Sequence, residues 1–280
     1  MTQAQEPKLI VFQGLTPNIG TTVVSFSASY MLAERLGAPV GYVCLNLKSS
    51  RIHHYCGFPP HSSLDRIRGE LRADTLTVRS LLDSCARIGR RPNLAVLCGN
   101  RLREQAEYYH PEDIDRLLRL CRDAFSVTVA EVNAYWDNAA TLCAMRQADM
   151  RVIVATDQPG SFQEDFSAWT ARLFPALELA PERSGVFVAQ RREDSDVRLA
   201  DIGRATGMDI LGCLERDGRI ERMLEQGRLP ELAEQFAPLR ASISSLLDKL
   251  GFPAGLADRE PVRKSSRNPF RWRPLMAGRR

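Results

Sequence analysis

The stretch FQGLTPNIGTTVVSFSASYMLAERLGAPVGYVCLNLKSS, residues 12–50, decides the fold. It overlaps KLIVFQ (8–13), a compact apolar run of strand length. A Gly/Pro/Asn turn follows. TTVVSFSASYMLAERL (21–36) then has helical spacing and stops at Gly37. VGYVCLN (40–46) is a second apolar run of strand length.

The same alternation runs outward from there. LAVLC (94–98), SVTVAEV (126–132), MRVIVA (150–155), GVFVA (185–189) and DILGCL (209–214) read as strands. Helical patterns lie near 75–88, 111–123, 137–147, 161–173, 196–206 and 218–248. In the last of these, the stretch 232–249 carries an apolar stripe for packing on the sheet, with Pro238 kinking its start. Apolar strands alternating with amphipathic helices predict an α/β fold, a doubly wound and mostly parallel sheet with helices on both faces. Such sheets bind ligands at the carboxyl ends of their strands, so the strand-to-helix loops matter most.

The first loop runs from Gly14 through Leu15, Thr16, Pro17, Asn18, Ile19, Gly20 and Thr21 to Thr22. A phosphate loop needs glycines for close backbone approach and a helix whose N-terminus offers free N–H groups to an anion. It also needs a Lys for the β/γ-phosphates and a Ser/Thr for Mg²⁺. Gly20 and Thr22 meet two of these needs, but Thr21 stands where the Lys belongs. Read alone, with the Lys missing, the loop is better read as a plain strand-to-helix turn with a Thr N-cap.

Residues 12–50 resemble the opening of MinD/ParA P-loop ATPases, whose loop reads KGGVGKT. Ile19-Gly20-Thr21-Thr22 aligns with VGKT, which places Thr16 at the family's signature lysine and Thr21 at the phosphate-loop lysine. Similarity of element order extends over roughly 8–250. LAVLCGNRL (94–102) resembles the family's strand ending in a short Gly/Pro loop. The segment from Ala124 to Phe162, with AEVNAYWDN and ADMRVIVATDQPGSF, resembles its paired YDxIIVDTPPG and ADxVIVVT elements. GVFVAQRRED resembles the strand that ends at the adenine pocket, and IGRATGMDILGCLERDGRIERMLEQGRLP resembles the family's closing segment.

The resemblance implies ATP or ADP with Mg²⁺ as cofactor. Asn18, Gly20, Thr21 and Thr22 would hold the phosphates, Thr22 and Glu131 the metal, and Gln190 with Arg191 the base. It also implies a homodimer paired across the nucleotide face. The departures are chemical. The family's aspartates after the second strand fall on Cys44 and Asn46, and Asn46 cannot act as a general base. The Mg²⁺-associated Asp becomes Glu131, and the adenine-side Asn becomes Gln190. With both lysines also missing, weak or absent hydrolysis is expected. Loop degeneracy resembles the TadZ/CpaE branch that serves Flp pilus assembly, which implies pilus or secretion components as partners. A partition or division ATPase acting on DNA or membrane is the alternative, and a nucleotide-independent scaffold is another.

Composition fits an ordinary globular chain: 280 residues, 44% hydrophobic and 26% charged. No uninterrupted apolar run of membrane-spanning length occurs, and no signal-peptide pattern opens the chain. The seven cysteines are dispersed, which is the pattern of reduced thiols in a cytoplasmic protein. RIHHYCGFPPH (51–61) gathers His53, His54, Cys56 and His61 but lacks CxxC or HxxxH spacing, so an exposed loop is expected rather than a metal site. Asp137 and Asp157 are expected to be solvated loop carboxylates.

Charge divides the chain in two. Residues 251–280 carry eight Lys/Arg against Asp258 and Glu260, a net +6, whereas the remaining residues carry −2. A folded domain over 7–250 and a disordered basic tail over 251–280 are expected. Phe270 and Trp272 lie among the tail's arginines, so the tail suits an anionic membrane, nucleic acid or an acidic partner, and is equally read as a solvated basic tail that aids solubility. A chain ending at Gly251 is expected to keep its fold.

Overall fold

The computed structural model describes residues 8–48, 50–58, 62–160, 162 and 166–255. Eight strands form one sheet: β1 (Lys8–Gly14), β2 (Val40–Leu45), β3 (Ala86–Ile88), β4 (Arg91–Leu97), β5 (Val127–Val132), β6 (Met150–Ala155), β7 (Ser184–Arg191) and β8 (Asp209–Glu215). Their order is β3-β4-β2-β5-β1-β6-β7-β8. All neighbours pair in parallel except β3 with β4. Chain order reverses around β1, so its carboxyl end is the switch point where a ligand crevice opens.

The helices are α1 (Thr21–Leu36), α2 (Ile52–Tyr55), α3 (Leu64–Arg72), α4 (Val78–Asp83), α5 (Pro111–Ala124), α6 (Ala139–Gln147), α7 (Phe166–Ala168), α8 (Phe174–Ala176), α9 (Leu199–Thr206), α10 (Gly218–Glu225), α11 (Leu229–Gln235) and α12 (Ala237–Lys249). Strand residues alternate between two cores. Ile10 and Phe12 of β1 face the layer that holds α1, α11 and α12. Leu9 and Val11 face the layer that holds α3, α5, α6 and α9. Both faces are covered, which is why the strands read as continuous apolar runs.

Four expectations change. The 75–88 pattern is not one helix: α4 ends at Asp83, and Ala86 and Ile88 are buried around an exposed Arg87 as the period-two edge strand β3. Helix α3, which no pattern above predicts, buries Leu64, Ile67 and Leu71 at helical spacing. The 218–248 pattern divides into α10, α11 and α12. Pro238 lies in the first turn of α12, where its missing N–H removes no helical bond, so it starts a helix instead of kinking one. The 161–173 pattern lies partly outside the described residues; from Phe166 it is helical, with a π-helical turn at Trp169–Leu173.

The folded body also continues past Gly251. Phe252 is buried, its carbonyl accepts from the Arg35 guanidinium, and Lys8 Nζ stands 4.8 Å above its ring. Residues 256–280, with nearly all of the basic tail, lie outside the described residues, as does His61.

Candidate functional site

The loop after β1 is shaped by backbone conformation. Asn18 and Gly20 both adopt left-handed φ, 63° and 92°. Gly20 is the N-cap of α1 and no side chain caps the helix, so the Thr N-cap of the plain-turn reading is not formed. The first N–H groups of a 16-residue helix therefore face the loop without a protein cap. Gly14 is required for a separate reason: a Cβ there would stand 2.6 Å from Thr21 Oγ1 and 2.9 Å from the Thr16 carbonyl. The Thr21 hydroxyl thus folds back over the end of β1.

Glu131 is the chemical centre. It lies in β5 beside Phe12 of β1 and Cys44 of β2, and it is 2% exposed. Thr22 Oγ1 donates to its Oε1 at 2.7 Å. Tyr42 Oη donates to Oε2, and Ser25 Oγ reaches the same oxygen at 3.5 Å. The Asn46 side chain adds another hydrogen bond. None of these partners is a Lys or Arg. Burial pushes the Glu131 carboxyl above its ordinary value, and the hydrogen bonds oppose that push only in part. The neighbouring Cys44 thiol, which donates to Ser50 Oγ at 3.3 Å, is pushed up by burial and by Glu131. It is therefore inert rather than nucleophilic.

A cleft of about 220 Å³ opens at the carboxyl ends of β1, β2, β5, β7 and β8. Asn18, Gly20, Thr21, Thr22, Glu131 and Gln190 all line it, so the fold gathers six of the seven residues expected at a nucleotide. Arg191 is not among them; its carbonyl accepts from the Arg216 amide at 2.8 Å at the end of β7. Gln190 turns toward the loop, and its Nε2 donates to the Asn18 carbonyl at 3.1 Å. The cleft also takes in Asn133, whose buried Nδ2 has no hydrogen-bond partner among the described residues. Gln13 holds that segment in place by donating to the Asn133 and Ala134 carbonyls.

Sequence reasoning did not single out Tyr42, Ser25, Arg51 or Arg216. Tyr42 was legible in principle, because it shares a face of β2 with Cys44 by period two. Arg51 lines the cleft from just before α2 and Arg216 from just after β8, and no local pattern marks either as a site residue.

The metal question turns on donors. Among the described residues no group of three or more His, Cys, Asp or Glu could hold a cation; the stretch around His53 and Cys56 is not an exposed loop but carries α2, with Ile52 and Cys56 buried. Thr22 and Glu131 offer one hydroxyl and one carboxylate. Mg²⁺ commonly takes one or two carboxylates and completes its shell with phosphates and water. The pair fits a Mg²⁺ that arrives with a nucleotide's phosphates and not one held by protein alone.

Of the two other carboxylates, Asp137 behaves as expected: it is exposed and pairs with Lys48 at 2.7 Å. Asp157 does not. Its side chain is buried and accepts from the Arg192 amide at 3.1 Å. Burial raises its carboxyl, but bonds from Ser195 and Arg192 outweigh that and hold it below the usual range. It pins the loop after β7. Among the described residues no helix is long and apolar enough to cross a membrane.

No protein-family description matches the chain, and no curated protein matches it in sequence. Solved structures do match in shape. A ParA family ATPase from Chlorobium tepidum superposes with TM-score 0.74 at 17% identity, covering 86% of this chain and 97% of that one. The septum site-determining protein MinD of Pyrococcus horikoshii, complexed with Mg-ADP, gives 0.68 at 14%, covering 87% and 96%. A Cyanothece McdA–ATP complex gives 0.68 at 17%, covering 89% and 98%. These likenesses span nearly the whole of each neighbour, and at such identities they establish the shared fold, that of the MinD/ParA P-loop NTPases.

Proposed function

We propose that this chain is a MinD/ParA-like positioning or assembly factor that responds to a nucleotide and hydrolyses it weakly or not at all. The observation that carries the reading is the loop itself: an uncapped helix N-terminus with Thr22 on Glu131, and no lysine. The neighbours in shape include a Mg-ADP complex and an ATP complex, which supports a nucleotide as ligand. The unpartnered Asn133 amide in the cleft supports a polar ligand there.

Phosphoryl transfer is chiefly positioning and charge stabilisation. Loss of one preorganised charge-stabilising group costs on the order of 3–4 kcal/mol of barrier. Thr16, Thr21 and Asn46 replace three such groups, so turnover falls steeply while binding persists through backbone N–H groups. Degeneracy of the loop fits an atypical pilus-assembly member of this class best. A partition or division role on DNA or membrane is the alternative, and the ParA and MinD neighbours support it. A genomic neighbour encoding a secretion ATPase would favour the first, and a centromere-binding partner the second.

A second reading is a scaffold that binds no nucleotide. The Gln190–Asn18 bond favours it, since it closes the loop on the protein's own side chain. Calorimetry with ATP and Mg²⁺ separates the two. Saturable binding that weakens in Thr22→Ala, with little phosphate release, supports the switch. No binding at millimolar ATP leaves the scaffold, and rapid turnover unaffected by Thr22→Ala contradicts both.

A further inference from the structure

We infer that Arg51 supplies, from the loop after β2, the phosphate-binding charge that the first loop lacks. This rests on the nucleotide reading above. Two arginines line the cleft, Arg51 and Arg216, against the carboxylates of Glu131, Glu215, Asp217 and Glu221. Half of these six groups are already in ion pairs. Asp217 holds Arg219 at 2.6 Å, and Arg216 lies 3.7 Å from Glu221. Arg51 forms no ion pair with any described residue, and its side chain is exposed at the cleft wall.

Its place in the fold suits the task. Arg51 precedes α2, and its carbonyl accepts from the His54 and Tyr55 amides at 2.9 Å, which starts that helix. Ile52, the next residue, is fully buried and fixes the backbone. On its far side α2 packs closely on the turn after α10: a Cβ on Gly227 would stand 3.3 Å from the His54 carbonyl. Arg51 and Tyr55 line the same cleft as Gly20, Thr22 and Glu131, where a phosphate seated on the α1 N-terminus and a cation at Thr22 and Glu131 would lie.

Chemistry favours an oligophosphate over other anions. A guanidinium offers a planar fork that pairs two phosphate oxygens at once, which a lone point charge does not. Arg51 therefore acts on the phosphate chain and not on the base.

The test uses the full chain and calorimetry with ATP, ADP and adenosine, each with Mg²⁺ and with EDTA. Wild type should bind ATP more tightly than adenosine. Arg51→Ala should weaken ATP about tenfold, the scale of one charged hydrogen-bonding partner, and leave adenosine unchanged. Arg51→Lys should fall between them. Arg51→Gln, with its similar length, should lose ATP affinity as Arg51→Ala does, which guards against a misfolded alanine variant. If wild type prefers ATP and Arg51→Ala binds it equally well, the inference is wrong and the nucleotide reading stands. If wild type binds neither ATP nor adenosine, both are wrong.

Discussion

Gln190 Nε2 donates to the Asn18 carbonyl at 3.1 Å, a bond that joins the end of β7 to the phosphate-type loop across 172 residues of chain. Both residues hold left-handed backbone, with φ of 51° and 63°. Such conformations cost an L-residue roughly 1–2 kcal/mol, and glycine far less. A partly exposed hydrogen bond contributes about 1 kcal/mol. Gln190→Ala should therefore lose about 1 kcal/mol, since it keeps the strained φ and drops the bond. Gln190→Gly should be close to neutral, since relief of strain offsets the lost bond. Urea denaturation of the two variants checks this; equal losses would show that the backbone there is unstrained.

Thr21→Lys should raise ATP affinity by about tenfold over wild type. The Thr21 hydroxyl folds back against Gly14, where a Cβ would lie 2.6 Å away. A lysine stem is too long for that niche and must extend into the cleft beside Gly20. The gain should appear for ATP and ADP and not for adenosine, as read by calorimetry. A lysine that changes none of the three affinities places the phosphates somewhere other than this loop.

Glu131 gives the fold a distinctive pH signature. Burial pushes its carboxyl above the ordinary value of 4.5, so the native state holds this proton more tightly than the unfolded chain does. The contribution to stability is then most favourable at low pH. It is lost as pH rises from about 4.5 toward the raised native value and is flat beyond it. A tenfold difference in proton affinity between the native and unfolded chain corresponds to about 1.4 kcal/mol. Glu131→Gln cannot titrate, so the melting temperature of this variant minus that of wild type should climb over that window and then level. A difference that falls with rising pH would show that the hydrogen bonds from Thr22, Tyr42, Ser25 and Asn46 outweigh burial.

Strands buried on both faces are legible from continuous apolar runs, as in LIVF of β1 and VIVA of β6. The loop after β1 is legible for the same reason, since a strand, a glycine and a helix fix where it lies. Thr22 and Glu131 meet because parallel pairing of β1 with β5 places Phe12 beside Glu131. What stayed hidden depends on packing between distant segments. β3 is three residues long, and its period-two signal is lost inside a longer helical pattern. Asp157 looks like any loop carboxylate until the turn after β7 folds onto it. Arg51 lines the cleft from the segment between β2 and α2, a helix that packs on α10.

The C-terminal boundary offers a last, two-part prediction. Composition places the start of the basic tail after Leu250, yet Phe252 is 3% exposed and packs in the core beside α1 and α12. The Arg35 guanidinium, itself buried, donates to the Phe252 carbonyl, to Asp248 Oδ1 at 2.7 Å and to Ser244. A chain ending at Gly251 loses the ring and leaves part of this guanidinium unpaired. Removing a buried Phe side chain costs about 3–5 kcal/mol, so that chain should be markedly destabilised. A chain ending at Gly255 keeps all of these contacts and should melt as wild type does. It also sheds the eight tail arginines and lysines that give residues 251–280 their net +6. Each basic residue near an anionic membrane contributes about 1 kcal/mol, screened over a Debye length of roughly 8–10 Å. The shorter folded chain should therefore lose salt-sensitive binding to phosphatidylserine vesicles or to DNA, whichever the full chain shows. If it binds as well as the full chain, the anionic partner is recognised by the folded body. If ending at Gly251 leaves the melting temperature unchanged, Phe252 is not part of the core.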